Sequence, residues 1–239
     1  MRYALISDVH ANLEALEATL DEINRLGCDE VICLGDIVGY GADPSECIAL
    51  LRSRRVVCLA GNHDFAAVGR IATEFFNYEA RCSIAWTRSA LSADERDFLS
   101  DLPLTLRRRN FICFHGALPR PDAFEYILSP SDAVLCFQHL DARVGFYGHT
   151  HVPCLVREEE PLLEPLSTIS LDEQMRRLVN VGSVGQPRDG QPLACVMEFD
   201  STTGQGQLHR VAYDVGKAAQ KILAAGLPEI NAYRLLVGR

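Results

Sequence analysis

The chain has 239 residues and a formal net charge of −9 at pH 7, with 48% hydrophobic and 23% charged residues. This is the composition of one ordinary globular domain rather than of a disordered chain, so we expect a single domain over residues 1–239. Lys217 and Lys221 are the only lysines. The acidic balance argues against extended binding to nucleic acid or to an anionic membrane surface.

The sequence also indicates where the protein works. No apolar run is long enough to span a bilayer, and no basic leader precedes the first apolar run. The nine cysteines are scattered and never spaced as Cys-x-x-Cys, which is typical of reduced thiols and argues against a zinc–thiolate site. We therefore expect a cytoplasmic protein that does not bind membranes.

The first sixty residues alternate short apolar runs with helical periodicity. Strands are predicted at residues 2–7, 30–34 and 56–59. A helix with an apolar stripe is predicted to end near Gly27, and a second one to begin at Asp43 as N-cap, with Pro44 at its first position and Glu46 closing a capping box. This alternation predicts right-handed crossovers and a largely parallel core sheet.

The rest of the chain changes character twice. Residues 64–102 have helical patterning, with a capping box at Ser92 and Glu95, and are interpreted as a helical insertion beside the site. After that the pattern is strand-rich, with one helix at 130–139 and two short helices at 214–236. Strands are predicted at residues 104–107, 110–114, 144–147, 154–157, 177–181, 194–199 and 207–213, the last two as a hairpin.

Five of the apolar runs end in residues that can bind a metal. These ends are Asp8-Val9-His10, Gly35-Asp36, Gly61-Asn62-His63-Asp64, His115-Gly116 and Gly148-His149-Thr150-His151. Taken singly, most of them are as well or better explained by a polar turn or a strand-end histidine. The pair His149 and His151 is a stronger signal, because imidazoles two residues apart in an extended segment point the same way. Because open α/β sheets bind ligands beyond the carboxyl ends of their strands, the five ends together predict one shared crevice.

The types of these side chains indicate a particular metal chemistry. Imidazole and oxygen ligands without thiolate suit Mn, Fe, Zn, Ni or Co, without selecting one of them. Seven ligands are enough for two metals if one ligand is shared, and a carboxylate can bridge whereas Asn and His offer one donor atom, so Asp8 or Asp36 should bridge. The predicted ligands are Asp8, His10, Asp36, Asn62, His115, His149 and His151.

Two divalent metals about 3.5–4 Å apart acidify a shared water and clamp the attacking and leaving oxygens of a displacement at phosphorus. The sequence therefore predicts phosphoester hydrolysis with a metal-bridging hydroxide as nucleophile. His63 is left over if Asn62 takes the metal, so we expect it to stabilise the transition state and donate toward the leaving oxygen. Asp64 is predicted to orient the His63 ring.

These motifs, in this order, resemble the calcineurin-like metallophosphoesterase superfamily over residues 2 to about 155. The stretches "GDIVGYGADPSEC" at 35–47 and "NVGSVGQPRDG" at 180–190 are similar to the small prokaryotic branch that includes phosphodiesterases. The resemblance implies an α/β (α+β) fold, a two-sheet β-sandwich flanked by helices, and Asp36 as the bridging ligand. It also implies that Asp8, His10 and His151 complete one metal site and Asn62, His115 and His149 the other.

Three further residues are candidates for contact with substrate. Asn12 follows the first motif, where the family pattern suggests a contact near the metals and a helix N-cap is the alternative. Arg188 is placed to reach a phosphate, or else belongs to a surface turn. Tyr40, beyond Gly39, is a candidate for the pocket wall.

The leading prediction is a phosphodiesterase that acts on a small phosphoester, with nucleotides among the candidates. The alternatives are a phosphomonoesterase, a protein Ser/Thr phosphatase, a dinucleoside polyphosphate hydrolase or, from another class, a non-catalytic scaffold. A scaffold that has lost its chemistry should lack His63 or a metal ligand, and none is missing here. The sequence does not fix the oligomeric state.

Overall fold

The apolar runs form two six-stranded mixed sheets that pack face to face between helices. The computed structural model describes residues 1–171 and 175–239. The expected two-sheet sandwich is confirmed. The strands are β1 (Arg2–Ile6), β2 (Glu30–Cys33), β3 (Val57–Cys58), β4 (Thr105–Arg107), β5 (Phe111–Phe114), β6 (Val144–Tyr147), β7 (Cys154–Arg157), β8 (Glu164–Pro165), β9 (Thr168–Ser170), β10 (Arg177–Asn180), β11 (Ala194–Asp200) and β12 (Gln205–Val211).

The first sheet has the strand order β3-β2-β1-β11-β12-β9, and the second has β4-β5-β6-β10-β7-β8. Parallel pairing is confined, among the described residues, to β1–β2–β3 in the first sheet and β5–β6–β10 in the second. The prediction of a largely parallel sheet is therefore wrong. The late strands return as antiparallel neighbours, with β11 beside β1 and β7 beside β10.

Aromatic and branched side chains fill the space between the two sheets. Phe111 of β5 makes edge-on contacts with Phe146 of β6 and Phe199 of β11, at ring-centroid distances of 5.5 and 5.7 Å. All three rings are fully buried. Such pairs add specific geometry to the burial of apolar area, so this core fixes the position of one sheet against the other.

Helices cover the outer faces of the sandwich. They are α1 (Leu13–Leu26), α2 (Pro44–Ser53), α3 (Asn62–Ala67), α4 (Tyr78–Ala90), α5 (Ala93–Ser100), α6 (Pro130–His139), α7 (Val215–Ala224) and α8 (Glu229–Val237). The two C-terminal helices and the helix at 130–139 are confirmed. In the segment predicted as helical insertion, α4 begins only after Asn77, which caps it, so residues 68–77 form an irregular stretch.

Two predicted capping boxes have different outcomes. At the start of α5, the Ser92 hydroxyl accepts from the backbone N–H of Glu95, and the Glu95 carboxylate accepts from the backbone N–H of Ser92. At the start of α2, Asp43 occupies the N-cap position and Pro44 the first helical position, as predicted, but Asp43 makes no side-chain cap, so the prediction of a capping box is wrong. The Asp43 carboxylate instead accepts a hydrogen bond from the Lys221 ammonium, 2.9 Å away. A charged partner from α7 has displaced the local backbone contact.

The two lysines of the chain both bind Glu14 of α1. The Nζ atoms of Lys217 and Lys221 lie 3.0 and 2.7 Å from the Glu14 carboxylate, whose side chain is almost completely buried. Burial raises the pKa of Glu14, but hydrogen bonds from Lys221 and Lys217 outweigh it and leave the pKa below its usual value. The ionised carboxylate therefore stabilises the docking of α7 on α1.

We expect Glu14→Gln to lower the free energy of unfolding at pH 7 by about 1–3 kcal/mol, because both ammonium groups lose the Glu14 carboxylate, although Lys221 keeps that of Asp43. A depressed carboxylate pKa gives stability that is present above the unfolded pKa and is lost as pH falls through the folded pKa. The difference between variant and wild type should thus shrink below about pH 4. Urea titrations at both pH values measure it. Glu17→Gln, at an exposed site on the same helix, is the control, and an equal loss in both variants would contradict the assignment.

Candidate metal centre

Parallel strands of both sheets deliver their carboxyl ends to one place. Asp8 and Asp36 follow β1 and β2, Asn62 follows β3, and His115 and His149 follow β5 and β6. The structure brings together all seven predicted ligands there, and each of them is buried. We refer to these seven residues, as a candidate site for cations, as the metal centre: Asp8, His10, Asp36, Asn62, His115, His149 and His151.

The loops that carry these side chains have unusual backbone conformations. Asp8, His10, Asp36, His149 and His151 all have φ between 48° and 66°, the left-handed region that non-glycine residues rarely adopt. Residues held this way cost free energy and cluster at functional sites. The backbone at these strand ends is therefore not in its least strained conformation, and the conformation it adopts turns the side chains inward.

Two glycines allow the carboxylates to be approached closely. A Cβ atom on Gly61 would overlap Oδ1 and the backbone nitrogen of Asp36, and one on Gly148 would overlap Ser7 Oγ. A larger residue would therefore displace the Asp36 backbone at position 61, and the side chains of Ser7 and Asp8 at position 148. This explains why Gly61 and Gly148 directly precede ligands.

The contact between His10 and His151 is the strongest indication that the site suits a cation. Their Nε2 atoms lie 3.0 Å apart. Each ring donates from Nδ1 to a backbone carbonyl, His10 to Val38 at 3.1 Å and His151 to Gln186 at 2.7 Å. In those tautomers both Nε2 atoms carry lone pairs that face each other. A shared cation makes this arrangement favourable, so the donor set fits a metal.

Asp36 lies between the two halves of the site. Its Oδ2 is 3.6 Å from Nε2 of His10 and 3.4 Å from Nε2 of His115. Its Oδ1 accepts a hydrogen bond of 2.8 Å from the backbone N–H of His63. Of the two Asp36 oxygens, Oδ2 therefore faces both groups of histidines, and it lies closer to Nε2 of His10 and of His115 than Asp8 Oδ1 does, which is 3.9 Å from each.

The second half of the site contains His115, His149 and Asn62. The His115 Nδ1 donates to the carbonyl of Leu34 at 3.0 Å, which leaves Nε2 directed at Asn62 Oδ1, 3.2 Å away. The buried Nε2 of His149 has no hydrogen-bond partner. An orphaned buried imidazole nitrogen is costly unless something binds it, and a metal would do so. Clusters of potential ligands thus occur on both sides of Asp36.

The ionisation states at the site also fit cation binding. Burial lowers the pKa values of His10, His149 and His151, so these rings are neutral donors at pH 7. Burial and the charge of Asp36 raise the pKa of Asp8 to about 7. Burial opposes a charge on His115 as well, but Asp36 raises its pKa to about 9. Two buried acids without enough positive charge are a site that a cation would stabilise.

His63 lies beside the metal centre and packs against other rings. Its ring centroid is 4.8 Å from that of His10 and 5.3 Å from that of Phe76. Its buried Nδ1 has no hydrogen-bond partner. Burial lowers the pKa of His63 to about 4, so the ring is neutral at pH 7 and carries one N–H. The Nδ1 edge of the ring lies against Gly39, and the residue also lines the cleft beside the site.

Asp64 does not orient the His63 ring, contrary to the prediction. Its Oδ1 accepts from the backbone N–H groups of Ile37 and Val38, and its Oδ2 accepts from that of Gly61. The carboxylate therefore fastens the loop after β2 to the start of α3. The structure supports a positioning role for Asp64, which holds in place the loops that carry Asp36 and Asn62.

The three residues predicted to contact substrate have different surroundings in the structure. Asn12 Oδ1 accepts from Ala15 N–H as the N-cap of α1, and its Nδ2 donates to Gly185 carbonyl oxygen, so its amide is fully engaged in the scaffold. Tyr40 packs on His63 and lines the open cleft. The Arg188 guanidinium carbon lies 5.6 Å from the centre of the Tyr40 ring.

An open cleft of about 590 Å³ leads to the metal centre. Its floor includes Asn62, His63 and His149. Its sides come from residues 71–80 before and in α4, and from residues 122–126 after β5. Sequence reasoning missed four aromatic residues of the cleft: Phe75, Phe76, Phe124 and Tyr126. Phe75 and Phe76 lie in a helical pattern, where aromatic residues are ordinarily assigned to the core, and the other two lie in a segment with no predicted element.

Comparison with known proteins places the chain in a family. Residues 1–202 match the model of the calcineurin-like phosphoesterase superfamily domain. The chain belongs to this superfamily. A metallophosphoesterase of Sphaerobacter thermophilus has 39% identical residues and a TM-score of 0.88 over 100% of both chains. The uncharacterized protein MJ0912 of Methanocaldococcus jannaschii is 39% identical over 240 residues, covering 99% of this chain and 98% of its own.

A more distant structure shows the same fold. The hypothetical protein PH1004 of Pyrococcus horikoshii OT3 has 20% identity and a TM-score of 0.84, over 100% of this chain and 98% of that one. Membership of the superfamily makes this calcineurin-like protein a phosphoesterase, a hydrolase that acts on phosphoester bonds. Within residues 1–171 and 175–239, no helix has the length and apolar character needed to cross a bilayer.

Proposed function

We propose that this calcineurin-like protein is a phosphodiesterase that uses two divalent metal ions to hydrolyse small phosphoesters. The observation that carries the proposal is the position of Asp36, whose Oδ2 faces the Nε2 atoms of both His10 and His115. One carboxylate oxygen shared between two clusters of imidazoles supports a dinuclear site. Two such ions, when bound, activate water and neutralise the charge that develops on the phosphoryl oxygens.

The residues divide between the two proposed ions. Asp8, His10 and His151 would hold one, with Asp8 Oδ1 3.4 Å from His151 Nε2. Asn62, His115 and His149 would hold the other, and Asp36 would belong to both. The metal preference among Mn, Fe, Zn, Ni and Co stays open, because imidazole and oxygen donors accept all of them.

Two residues outside the ligand set would act directly on the phosphoester. The free N–H of the His63 ring would donate a hydrogen bond to the leaving oxygen, in the place where negative charge develops. The Arg188 guanidinium already binds Gln186 Oε1 through Nε and Nη2, at 3.3 and 2.7 Å. Held in that position beside the metal centre, it would bind a phosphoryl oxygen.

The cleft favours a diester over a monoester. A diester carries one negative charge and two organic groups, and so needs room for the second group. The cleft supplies about 590 Å³ beyond the metal centre, and no arginine or lysine is among the described residues that line it. A phosphomonoester dianion would gain little from such walls, whereas a bulky neutral group would fit them.

We expect the protein, stripped by chelation and reloaded with one metal at a time, to hydrolyse bis-p-nitrophenyl phosphate. The value of kcat/KM should exceed that for p-nitrophenyl phosphate by about 10-fold or more, a difference of about 1.4 kcal/mol in transition-state binding. Release of p-nitrophenolate measures both reactions. Turnover of the monoester alone would replace the proposal with a phosphomonoesterase, and no turnover of either ester with two ions bound would indicate a non-catalytic scaffold.

A further inference from the structure

The aromatic side chains of the cleft are arranged around an empty space rather than packed away. Phe75 is 98% exposed and Tyr126 is 48% exposed, although both line the cleft that opens on the metal centre. They come from different parts of the chain, the stretch before α4 and the segment after β5. Single exposed aromatic rings need no explanation, but two of them at one reactive site indicate a surface for a ligand.

The lower part of the cleft is also lined with rings, and these are held firmly. Tyr126 stacks on His149 with a centroid distance of 3.8 Å and an interplanar angle of 15°. Tyr40 packs on the rings of His10 and His63 at 4.7 and 4.6 Å. The aromatic surface therefore begins at the metal ligands themselves and continues outward to Phe75.

Charge restricts what this surface binds. Asp122 is the one charged residue among the described residues that line the cleft, and it is acidic. A polyphosphate chain or a polynucleotide backbone needs several cations along its path, and the cleft offers none beyond Arg188 at its inner edge. The walls suit a flat, uncharged ring, with the Asp122 carboxylate available to accept from an amino group.

Resting on the proposed phosphodiesterase function, we propose that the substrate is a phosphodiester of a single nucleoside, with its nucleobase against Phe75 and Tyr126. The phosphoryl group would lie at the metal centre and Arg188. The volume of about 590 Å³ is sufficient for one nucleoside. Every nucleobase can stack on an aromatic side chain, and this stacking gives affinity without charged residues in the cleft.

The test compares the binding of AMP and ribose 5-phosphate to the metal-loaded protein by calorimetry. The two ligands share the ribose and the phosphate, so their difference isolates the base. We expect AMP to bind about 10-fold tighter, and we expect Phe75→Ala and Tyr126→Ala each to remove most of that advantage. Phe75→Trp should retain it. Tyr233→Ala, an exposed aromatic residue on α8 that does not line the cleft, is the control and should change nothing.

Two results would overturn the inference while leaving the phosphodiesterase proposal intact. One is equal affinity for AMP and ribose 5-phosphate in a wild-type protein that hydrolyses bis-p-nitrophenyl phosphate. The other is an AMP advantage that persists in both alanine variants, since the base would then bind elsewhere. If the metal-loaded protein neither hydrolyses the diester nor binds either ligand, the proposed function fails and the inference fails with it.

Discussion

Asp36→Asn is expected to weaken metal binding by on the order of 100-fold or more, because a direct ligand contributes at least as much as the outer groups that orient ligands. In the variant an amide oxygen can still accept the His63 backbone N–H in place of Oδ1. The other position then carries an NH₂ group that faces Nε2 of His10 and His115. An amide nitrogen with two protons cannot coordinate either ion.

Metal analysis after desalting measures this effect directly. The wild type should retain two ions per chain after reloading, and Asp36→Asn fewer than one. Asp21→Asn, an exposed carboxylate on α1, is the matched control and should retain both ions. Circular dichroism shows whether the variant is still folded. Two ions held at wild-type affinity by folded Asp36→Asn would rule out Asp36 as the bridging ligand.

His63→Ala should leave both ions in place and lower kcat/KM by about 10²-fold or more. The ring lies 4.8 Å from that of His10 and lines the cleft, and His63 is outside the set of seven predicted ligands, so we expect it to donate rather than to coordinate. The loss should grow as the leaving group becomes poorer, since an alkoxide needs the donated hydrogen bond more than p-nitrophenolate does. Methyl and p-nitrophenyl leaving groups provide the comparison.

His63 also has a possible ligand atom within 4.8 Å of those of His10 and Asp36, which is close enough for the three to hold one ion. Measuring metal content alongside the kinetics separates the two roles. If His63→Ala loses an ion, then His63 is a ligand rather than a donor. His139→Ala, at an exposed position on α6, should preserve both rate and metal content.

The position of the metal centre could be predicted from the sequence because it depends on strand ends. Each apolar run marks where a strand stops, and neighbouring parallel strands bring their ends to one edge, which places Asp8 beside Asp36. His115 follows a strand of the other sheet, so only the packing of the two sheets brings it to them. The mixed character of the sheets was not predictable in this way. Strand β11 pairs with β1 across almost two hundred residues, and no local pattern encodes that pairing.

Predictions of individual contacts were wrong where a partner distant in sequence competed with a local one. Asp64 is adjacent to His63 in sequence, yet its carboxylate binds backbone N–H groups of Ile37 and Val38, which the β2 loop brings to it. The Asp43 carboxylate binds the Lys221 ammonium of α7 instead of capping α2. In both cases the partner is tens of residues away or more, and sequence spacing describes only neighbours along one element.

The cleft was missed for a related reason. Phe75 and Phe76 lie in a stretch with helical patterning, but the helix begins after Asn77 and leaves both residues in an irregular segment beside the metal centre. Tyr126 reaches the same cleft from beyond β5. Which aromatic rings are packed and which remain open is decided by tertiary structure alone.

The need for two metal ions is tested most directly by following diester hydrolysis as metal is returned to the stripped protein. Chelated protein is titrated with Mn²⁺, and hydrolysis of bis-p-nitrophenyl phosphate is measured at each ratio of ion to chain. We predict no activity without metal and full activity only when two ions are bound. Full activity in metal-free protein, or saturation with a single ion per chain, would contradict the dinuclear mechanism.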